Sequence, residues 1–154
     1  MRQINSKSHL MVELSRGNWF GDYYTMLYIQ EVLGSVDDIV EKIEQAAKDN
    51  DFGVLDIHDL KKKMAAKGVD FVPECRIIEV CNPNRAKEVL ENNMAISTAL
   101  PCRISVYEEN GKVKIATIRP TYILDHFDNP ELKSVAQSVE ETIIKIISMA
   151  QSGT

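Results

Sequence analysis

Residues 102–118, CRISVYEENGKVKIATI, carry the clearest structural signal in this chain, because two alternating runs flank the dipeptide Asn110-Gly111. Asn-Gly accepts the positive φ angles of a type I′ turn, a two-residue loop between antiparallel strands. The sequence therefore predicts a β-hairpin whose register is fixed by its loop. That register sets residues opposite one another in three pairs: Ile104 with Thr117, Val106 with Ile115 and, on the other face, Tyr107 with Lys114.

Three stretches upstream of the hairpin have the composition of strands. Tyr23–Leu33 is apolar on both alternating sets and is interpreted as a central strand that Gly34 ends. Phe52–His58 and Cys75–Cys81 are shorter runs of the same kind. Together with the hairpin, these stretches predict a sheet of five strands.

Capping residues mark where the helices begin. Ser35 opens a capping-box pattern, and Asp56 or Asp59 is placed to cap a short helix. Asn82-Pro83 and Asn129-Pro130 each combine an N-cap residue with a proline at the first helical position, which needs no N–H donor. The last helix carries an apolar stripe of eight residues: Leu132, Val135, Ala136, Val139, Ile143, Ile146, Ile147 and Ala150.

The order of these elements predicts an α+β fold built as a two-layer sandwich. A mainly antiparallel sheet would carry its helices on one face. The first 17 residues are polar and weakly patterned and are interpreted as an arm, so that residues 18–154 form a single domain. Four aromatic residues are interpreted as anchoring this arm, with a ligand pocket or a subunit contact as the alternatives: Trp19, Phe20, Tyr23 and Tyr24.

Composition and charge exclude several classes of function. The 154 residues carry a net charge of -5, which disfavours nucleic acid as a partner because phosphate binding depends on clustered Lys and Arg. The chain contains no apolar run long enough to span a bilayer and no secretory signal, so we expect a cytoplasmic protein without a membrane partner. Phosphate loops and the common hydrolase and zinc-protease motifs are also missing from the sequence.

The three cysteines are the main candidates for a reactive or ligand-binding site, and all three are expected to be free thiols. Cys81 lies just before a helix N-terminus, a position that can lower the pKa of a thiol. Cys102 begins the hairpin immediately after Pro101, so the two thiols are predicted to converge at strand ends. The alternative is that both are small buried core residues. His58 beside Asp59 is a second, weaker candidate for acid-base work or metal binding.

Several segments resemble the family called domain of unknown function 302. They are FGVLDIHDL, EVCNP at Glu79–Pro83, LPCRISVYEENGKV at Leu100–Val113 and the proline at Pro120, within a span from about Tyr23 to Ala150. The resemblance implies a β-α-β(4)-α sandwich similar to one repeat of the TATA-binding protein, and a homodimer. It implies no established activity. The positions it carries over are Cys81, Asn82, Pro83, Pro101, Cys102, Arg103 and Asp59, with His58 as a further member.

Three hypotheses about function follow. The first is a dimeric protein that binds a small ligand or a soft metal ion at the corner formed by Cys81 and Cys102. The second is an enzyme that transfers sulfur or electrons, with Cys81 as the thiolate, Cys102 as the resolving thiol and Arg103 holding an anion. The third is a structural module that dimerises through a sheet face or the long helix. The cofactor, and whether the protein is an enzyme, are left open by the sequence.

Overall fold

A five-stranded sheet, antiparallel at every neighbouring pair, forms the centre of the computed structural model, which describes residues 23 and 25–152. The strands follow the order β1-β5-β4-β3-β2. Their bounds are β1 (Leu27–Val32), β2 (Gly53–Asp59), β3 (Cys75–Cys81), β4 (Cys102–Glu109) and β5 (Lys112–Ile118). The predicted α+β class with an antiparallel sheet is confirmed.

Two long helices and several short ones connect the strands. Their bounds are α1 (Val36–Asp49), α2 (Leu60–Ala65), α3 (Pro83–Asn92), a 3₁₀ helix (Met94–Ala99), α4 (Pro120–Asp125) and α5 (Leu132–Ser152). With the short helices set aside as connections, the chain order is β-α-β(4)-α, as the family resemblance implied.

The core lies between one face of the sheet, here called the inner face, and the two long helices. On this face the buried side chains alternate along each strand, as in Ile104 and Val106 of β4. Helices α1 and α5 contribute the facing residues, among them Ile43 and Ile143, which are fully buried. The remaining residues of each strand point the other way and form the outer face of the sheet, where none is fully buried.

The hairpin and the predicted caps are confirmed in detail. β4 and β5 pair Val106 with Ile115, as the Asn110-Gly111 loop predicted, because both loop residues adopt positive φ angles of 53° and 76°. Ser35 forms the full capping box of α1. Asp59, one of the two residues proposed for α2, accepts a hydrogen bond from the N–H of Lys62 at 2.9 Å.

The first strand differs from the prediction in length and position. Within residues 23 and 25–152, β1 is an edge strand rather than a central one, since β5 is its one partner there. It begins at Leu27 because residues 23, 25 and 26 form a helical turn, and Leu33 beyond its end is 95% exposed. The apolar character of both alternating sets arises because Val32 packs into the core while Ile29 lies on the outer face.

One further difference concerns the residue at which the last helix begins. The last helix begins at Leu132, two residues later than Asn129-Pro130 indicated, although Asn129 does accept a hydrogen bond from the N–H of Glu131 at 3.0 Å. The segment after the hairpin forms α4, which starts at Pro120. The arm of residues 1–17, together with Trp19, Phe20 and Tyr24, lies outside the described residues.

Candidate functional site: the Cys81–Cys102 cavity

The pairing of β3 with β4 brings two of the three cysteines together. Cys102, the first residue of β4, lies directly opposite Val80, and Cys81 is the next residue along β3. Residues directly opposite one another in an antiparallel pair have Cα atoms roughly 4.5 to 5.5 Å apart. Both cysteines are free thiols and are partly buried. The register therefore brings these two residues, which come from distant sequence segments, to neighbouring positions at one end of the sheet.

Both thiols line one cavity between the sheet and the short helices. The cavity encloses about 50 Å³, whereas a single water molecule needs roughly 10 to 15 Å³ on the same measure. Its wall is almost entirely hydrocarbon, with Asn82 and Arg85 as the polar exceptions besides the thiols. The apolar lining residues are Phe52, Val80, Ala86, Val89, Ile96, Ala99, Leu100, Pro120, Ile123, Leu124 and Val139.

Helix α3 is fixed at the mouth of the cavity by its cap. Asn82 Oδ1 accepts a hydrogen bond from the N–H of Arg85 at 3.1 Å, which satisfies one of the donors at the start of the helix. Its Nδ2 donates to the carbonyl oxygen of Asp51 at 3.1 Å. The side chain of Asn82 thus ties the helix beside Cys81 to the loop before β2.

Helix α4 closes another side of the cavity and is held by a polar cluster on α5. Glu140 Oε2 accepts hydrogen bonds from the backbone N–H of Thr121, at 3.1 Å, and from its hydroxyl group. Its other carboxylate oxygen lies 2.9 Å from Nη1 of Arg119. Burial favours the neutral acid, but these donors outweigh it, so the pKa of Glu140 is lowered.

Burial determines the protonation of both thiols. Burial raises the pKa of Cys81, although the N-terminus of α3 was predicted to lower it. Burial, together with the nearby Cys81 thiol, raises the pKa of Cys102 to about 11. A thiol moved out of water loses the hydration that stabilises its thiolate, so burial raises its pKa. Both cysteines are therefore neutral thiols at physiological pH.

The other candidate residues lie away from the cavity. His58 and Arg103 reach the outer face of the sheet, where both contact Glu79, with His58 Nε2 at 3.2 Å and Arg103 Nε at 3.4 Å from Oε1. Asp59 caps α2 and lies 3.2 Å from Nη1 of Arg76. The contacts to Glu79 link β2, β3 and β4 across the outer face, and neither His58 nor Arg103 is among the residues that line the cavity.

Of the eight candidate residues, the structure places Cys81, Asn82 and Cys102 in the wall of the cavity. Pro83 and Pro101 are their chain neighbours and are not among its lining residues. Sequence reasoning missed the contributions of the 3₁₀ helix, of α4 and of α5. Their one available signal was the apolar character of residues such as Leu124 and Val139, which also fits an ordinary core.

Residues 23 and 25–152 contain neither a cluster of metal-binding side chains nor a helix that could span a membrane. In that part of the chain, no group of three or more His, Cys, Asp or Glu side chains is placed to hold a metal ion. None of the helices within it combines the length and the apolar character that crossing a bilayer requires.

Comparison with known proteins identifies the domain. The sequence profile described as "Domain of unknown function DUF302" matches residues 28–150, which include β3, β4 and the cavity between them. This chain belongs to the DUF302 family. The DUF302 domain here is similar to the crystal structure of an uncharacterized conserved DUF302 protein from Bacillus stearothermophilus, with 33% sequence identity and a TM-score of 0.77. That alignment covers 81% of this chain and 98% of the other. No curated protein is detectably similar to this DUF302 chain.

Proposed function

We propose that this domain binds a small, largely apolar ligand in the cavity that Cys81 and Cys102 share. The observation that supports the proposal is that Cys81 and Cys102 both line one cavity, whose wall is otherwise almost entirely hydrocarbon. Transfer of apolar surface from water to such a wall contributes about 25 cal/mol for each Å² buried. Polarisable sulfur atoms add favourable contacts with an apolar or aromatic guest.

The size of the cavity limits the ligand to a few heavy atoms in the arrangement described. A volume of about 50 Å³ is smaller than most sites for drug-sized ligands, which occupy roughly 300 to 1,000 Å³. A larger ligand requires movement of a wall, and α4 is the shortest α-helix that lines the cavity together with α3 and α5. Pocket residues on α4 are Pro120, Ile123 and Leu124, which an entering ligand would displace together.

Xenon under moderate pressure is a suitable probe, because it is apolar and small enough for a cavity of this kind. Methyl resonances of Val80, Ile96 and Val139 report on the cavity directly. We expect shifts that saturate with xenon in the wild type and disappear in Ala99→Leu, whose added side chain fills the space. Ala95→Leu is the matched control, since Ala95 is exposed on the same 3₁₀ helix and its enlargement leaves the cavity open. A wild type without saturable shifts contradicts the proposal.

A soft monovalent metal ion is the second candidate ligand. Cys81 and Cys102 offer two sulfur donors without a third ligand, which suits an ion such as Cu(I) better than tetrahedral Zn²⁺. Silver(I) is a redox-stable probe for such a pair. In native mass spectrometry we expect one Ag(I) per chain in the wild type and in Cys75→Ser, and its loss in Cys81→Ser and Cys102→Ser. Equal binding in all four proteins assigns the ion elsewhere and overturns this candidate.

The thiol-transfer enzyme has less support than either form of binding. Its mechanism needs Cys81 as a thiolate near neutral pH, whereas burial raises the pKa of that thiol. Arg103, assigned to hold an anion, lies on the outer face with Glu79. A measured pKa for Cys81 well below 8.5, the value of a free cysteine, would restore this alternative.

Dimerisation and location are separate proposals that the cavity does not require. The apolar stripe of α5 is buried within the protomer. The hypothesis of a structural module therefore keeps the sheet face, but not this stripe, as a surface for dimerisation. The homodimer implied by the family resemblance stays a prediction, and sedimentation velocity at micromolar concentration tests it: a monomer contradicts it. A cytoplasmic location likewise stays a prediction from the sequence.

A further inference from the structure

Arg85 is the one charged residue in the wall of the cavity that Cys81 and Cys102 share. It lies in the first turn of α3, three residues after the Asn82 cap. Among the described residues, no aspartate or glutamate lines the cavity, although the whole chain has a net charge of -5. Both thiols are neutral at physiological pH, so the wall carries a single positive charge.

The guanidinium group of Arg85 connects α3 to α5 beside the cavity. Its Nη2 donates to Oγ of Ser138 at 3.2 Å, and Ser138 is the chain neighbour of Val139, which lines the cavity. Its Nη1 lies 3.2 Å from Oε2 of Glu88. The side chain of Arg85 is 45% exposed, whereas Ile96, another lining residue, is fully buried. The wall therefore combines a cation that water reaches with hydrocarbon that water does not reach.

The guanidinium group has hydrogen-bond donors left for a ligand. Of the five N–H groups that an arginine side chain carries, the contacts with Ser138 and Glu88 use two. The ion pair with Glu88 is half exposed, so water screens it and a ligand can replace it at little cost. The side chain of Asn82 already binds the N–H of Arg85 and the carbonyl oxygen of Asp51. Arg85 is therefore the residue best placed to bind a polar group of the ligand.

Charge and volume together restrict the class of ligand. Arginine binds a carboxylate through two parallel N–H···O hydrogen bonds. One guanidinium group beside Glu88 suits a single negative charge, whereas a phosphate monoester brings about two. A cavity of about 150 Å³ holds benzene, so the volume of about 50 Å³ here accommodates an alkyl chain of roughly two or three carbon atoms.

We propose that the cavity binds a short-chain aliphatic monocarboxylate, with the carboxylate on Arg85 and the alkyl chain against the hydrocarbon wall. This inference rests on the proposed ligand-binding function and names the class of its ligand. Glu88 competes with the ligand for Nη1 of Arg85, so it lowers the affinity without closing the site.

Butyrate is a suitable probe, with 1-butanol and butylammonium as its neutral and cationic counterparts. The full-length chain is titrated with each at constant ionic strength, and the methyl resonances of Val80, Ile96 and Val139 report binding. We expect butyrate to bind at least about tenfold more tightly than either counterpart, because its hydrogen bonds to Arg85 are charge-assisted. From acetate to butyrate, the affinity should rise about fourfold for each added methylene. Propyl phosphate should bind no more tightly than butyrate.

Arg85→Met keeps the apolar stem of the side chain and removes its charge. It should abolish the preference for butyrate over 1-butanol and leave the xenon shifts in place. Lys87→Met is the matched control, because Lys87 lies on the same helix, is 73% exposed and does not line the cavity.

Glu88→Gln removes the competing carboxylate and should strengthen butyrate binding about two- to fivefold. Glu91→Gln removes the same charge from an exposed position of α3 and should have no such effect. Circular dichroism shows whether each variant is folded, and Glu88→Gln keeps the test decisive if Arg85→Met is not.

Butyrate that binds no more tightly than 1-butanol, while xenon still enters, overturns the inference and leaves the proposed function intact. Three other results also overturn it: a preference for butyrate that survives in Arg85→Met, acetate that binds as tightly as butyrate, and propyl phosphate that binds more tightly. Absence of both xenon and butyrate shifts contradicts the proposed function and, with it, the inference.

Discussion

Cys102 at the start of β4 lies directly opposite Val80 of β3, next to Cys81 in the chain, and Cys81 and Cys102 both line one apolar cavity. The arrangement follows from elementary β-structure, because two strands in antiparallel register bring the end of one beside the start of the other. It places two soft, neutral donors, both of them partly buried, in the wall of that cavity. The proposed binding function depends on this relationship.

Unfolding stability should fall at alkaline pH because of Cys102. Its pKa rises from 9.0 in the unfolded reference to about 11 in the folded protein, so the unfolded chain loses the proton first as pH rises. The contribution of the protonated Cys102 thiol to the free energy of unfolding is complete below pH 9 and is lost as pH rises through about 11. One pKa unit corresponds to about 1.4 kcal/mol, so the loss is on the order of 2 to 3 kcal/mol.

Urea unfolding at pH 8, 9, 10 and 11 measures this effect. Cys102→Ala should flatten the curve between pH 9 and pH 11, whereas Cys75→Ala, a cysteine on the outer face, should leave the slope as in the wild type. A curve for Cys102→Ala that keeps the full wild-type slope would show that Cys102 is not buried.

Removing the charge of Glu140 should loosen α4 over the cavity. Glu140→Gln replaces an acceptor of hydrogen bonds from Thr121 and Arg119, and hydrogen bonds to charged groups are worth about 1.5 to 3 kcal/mol. Because the pKa of Glu140 is lowered on folding, its contribution is present above pH 4.5 and is lost as pH falls below that value.

The prediction for Glu140 is checked by the free energy of unfolding at pH 7 and pH 3. Glu140→Gln should be less stable than the wild type at pH 7, with a smaller difference at pH 3. Glu141→Gln is the control, because Glu141 is the next residue of α5 and is exposed. Equal losses in the two variants would contradict a specific role for Glu140.

Loss of the α3 cap should weaken the wall beside Cys81. Asn82→Ala removes the acceptor for the N–H of Arg85 and the donor to Asp51, and loss of an N-cap typically costs about 1 kcal/mol. Asn84→Ala changes an exposed residue of the same first turn and should cost much less. Thermal unfolding compares the two, and similar melting temperatures would contradict the role of Asn82.

The sequence predicted local structure well where a residue acts through its own backbone. Asn110-Gly111 fixed the register of the hairpin, and Ser35, Asp59 and Asn82 marked the helix starts at which they cap. Each of these signals depends on one turn or one hydrogen bond between neighbours, so no knowledge of the tertiary structure was needed.

The edge position of β1 and the walls of the cavity could not be predicted in the same way. An apolar strand has the same sequence pattern at the centre and at the edge of a sheet. Ile29 of β1 is apolar and partly buried although its strand lies at the edge. The direction of the pKa shift at Cys81 also differed from the expectation, because the helix N-terminus is visible in the sequence while the burial that raises this pKa is not. Leu124 and Val139 meet only after α4 and α5 pack.

The most direct test of the shared cavity is a pH titration of the cysteine Cβ resonances by NMR. If the two thiols lie together and buried, Cys102 titrates near pH 11, and Cys81→Ala lowers its pKa because the neighbouring charge is removed. Titration of Cys102 near pH 9, unaffected by Cys81→Ala, would contradict the account.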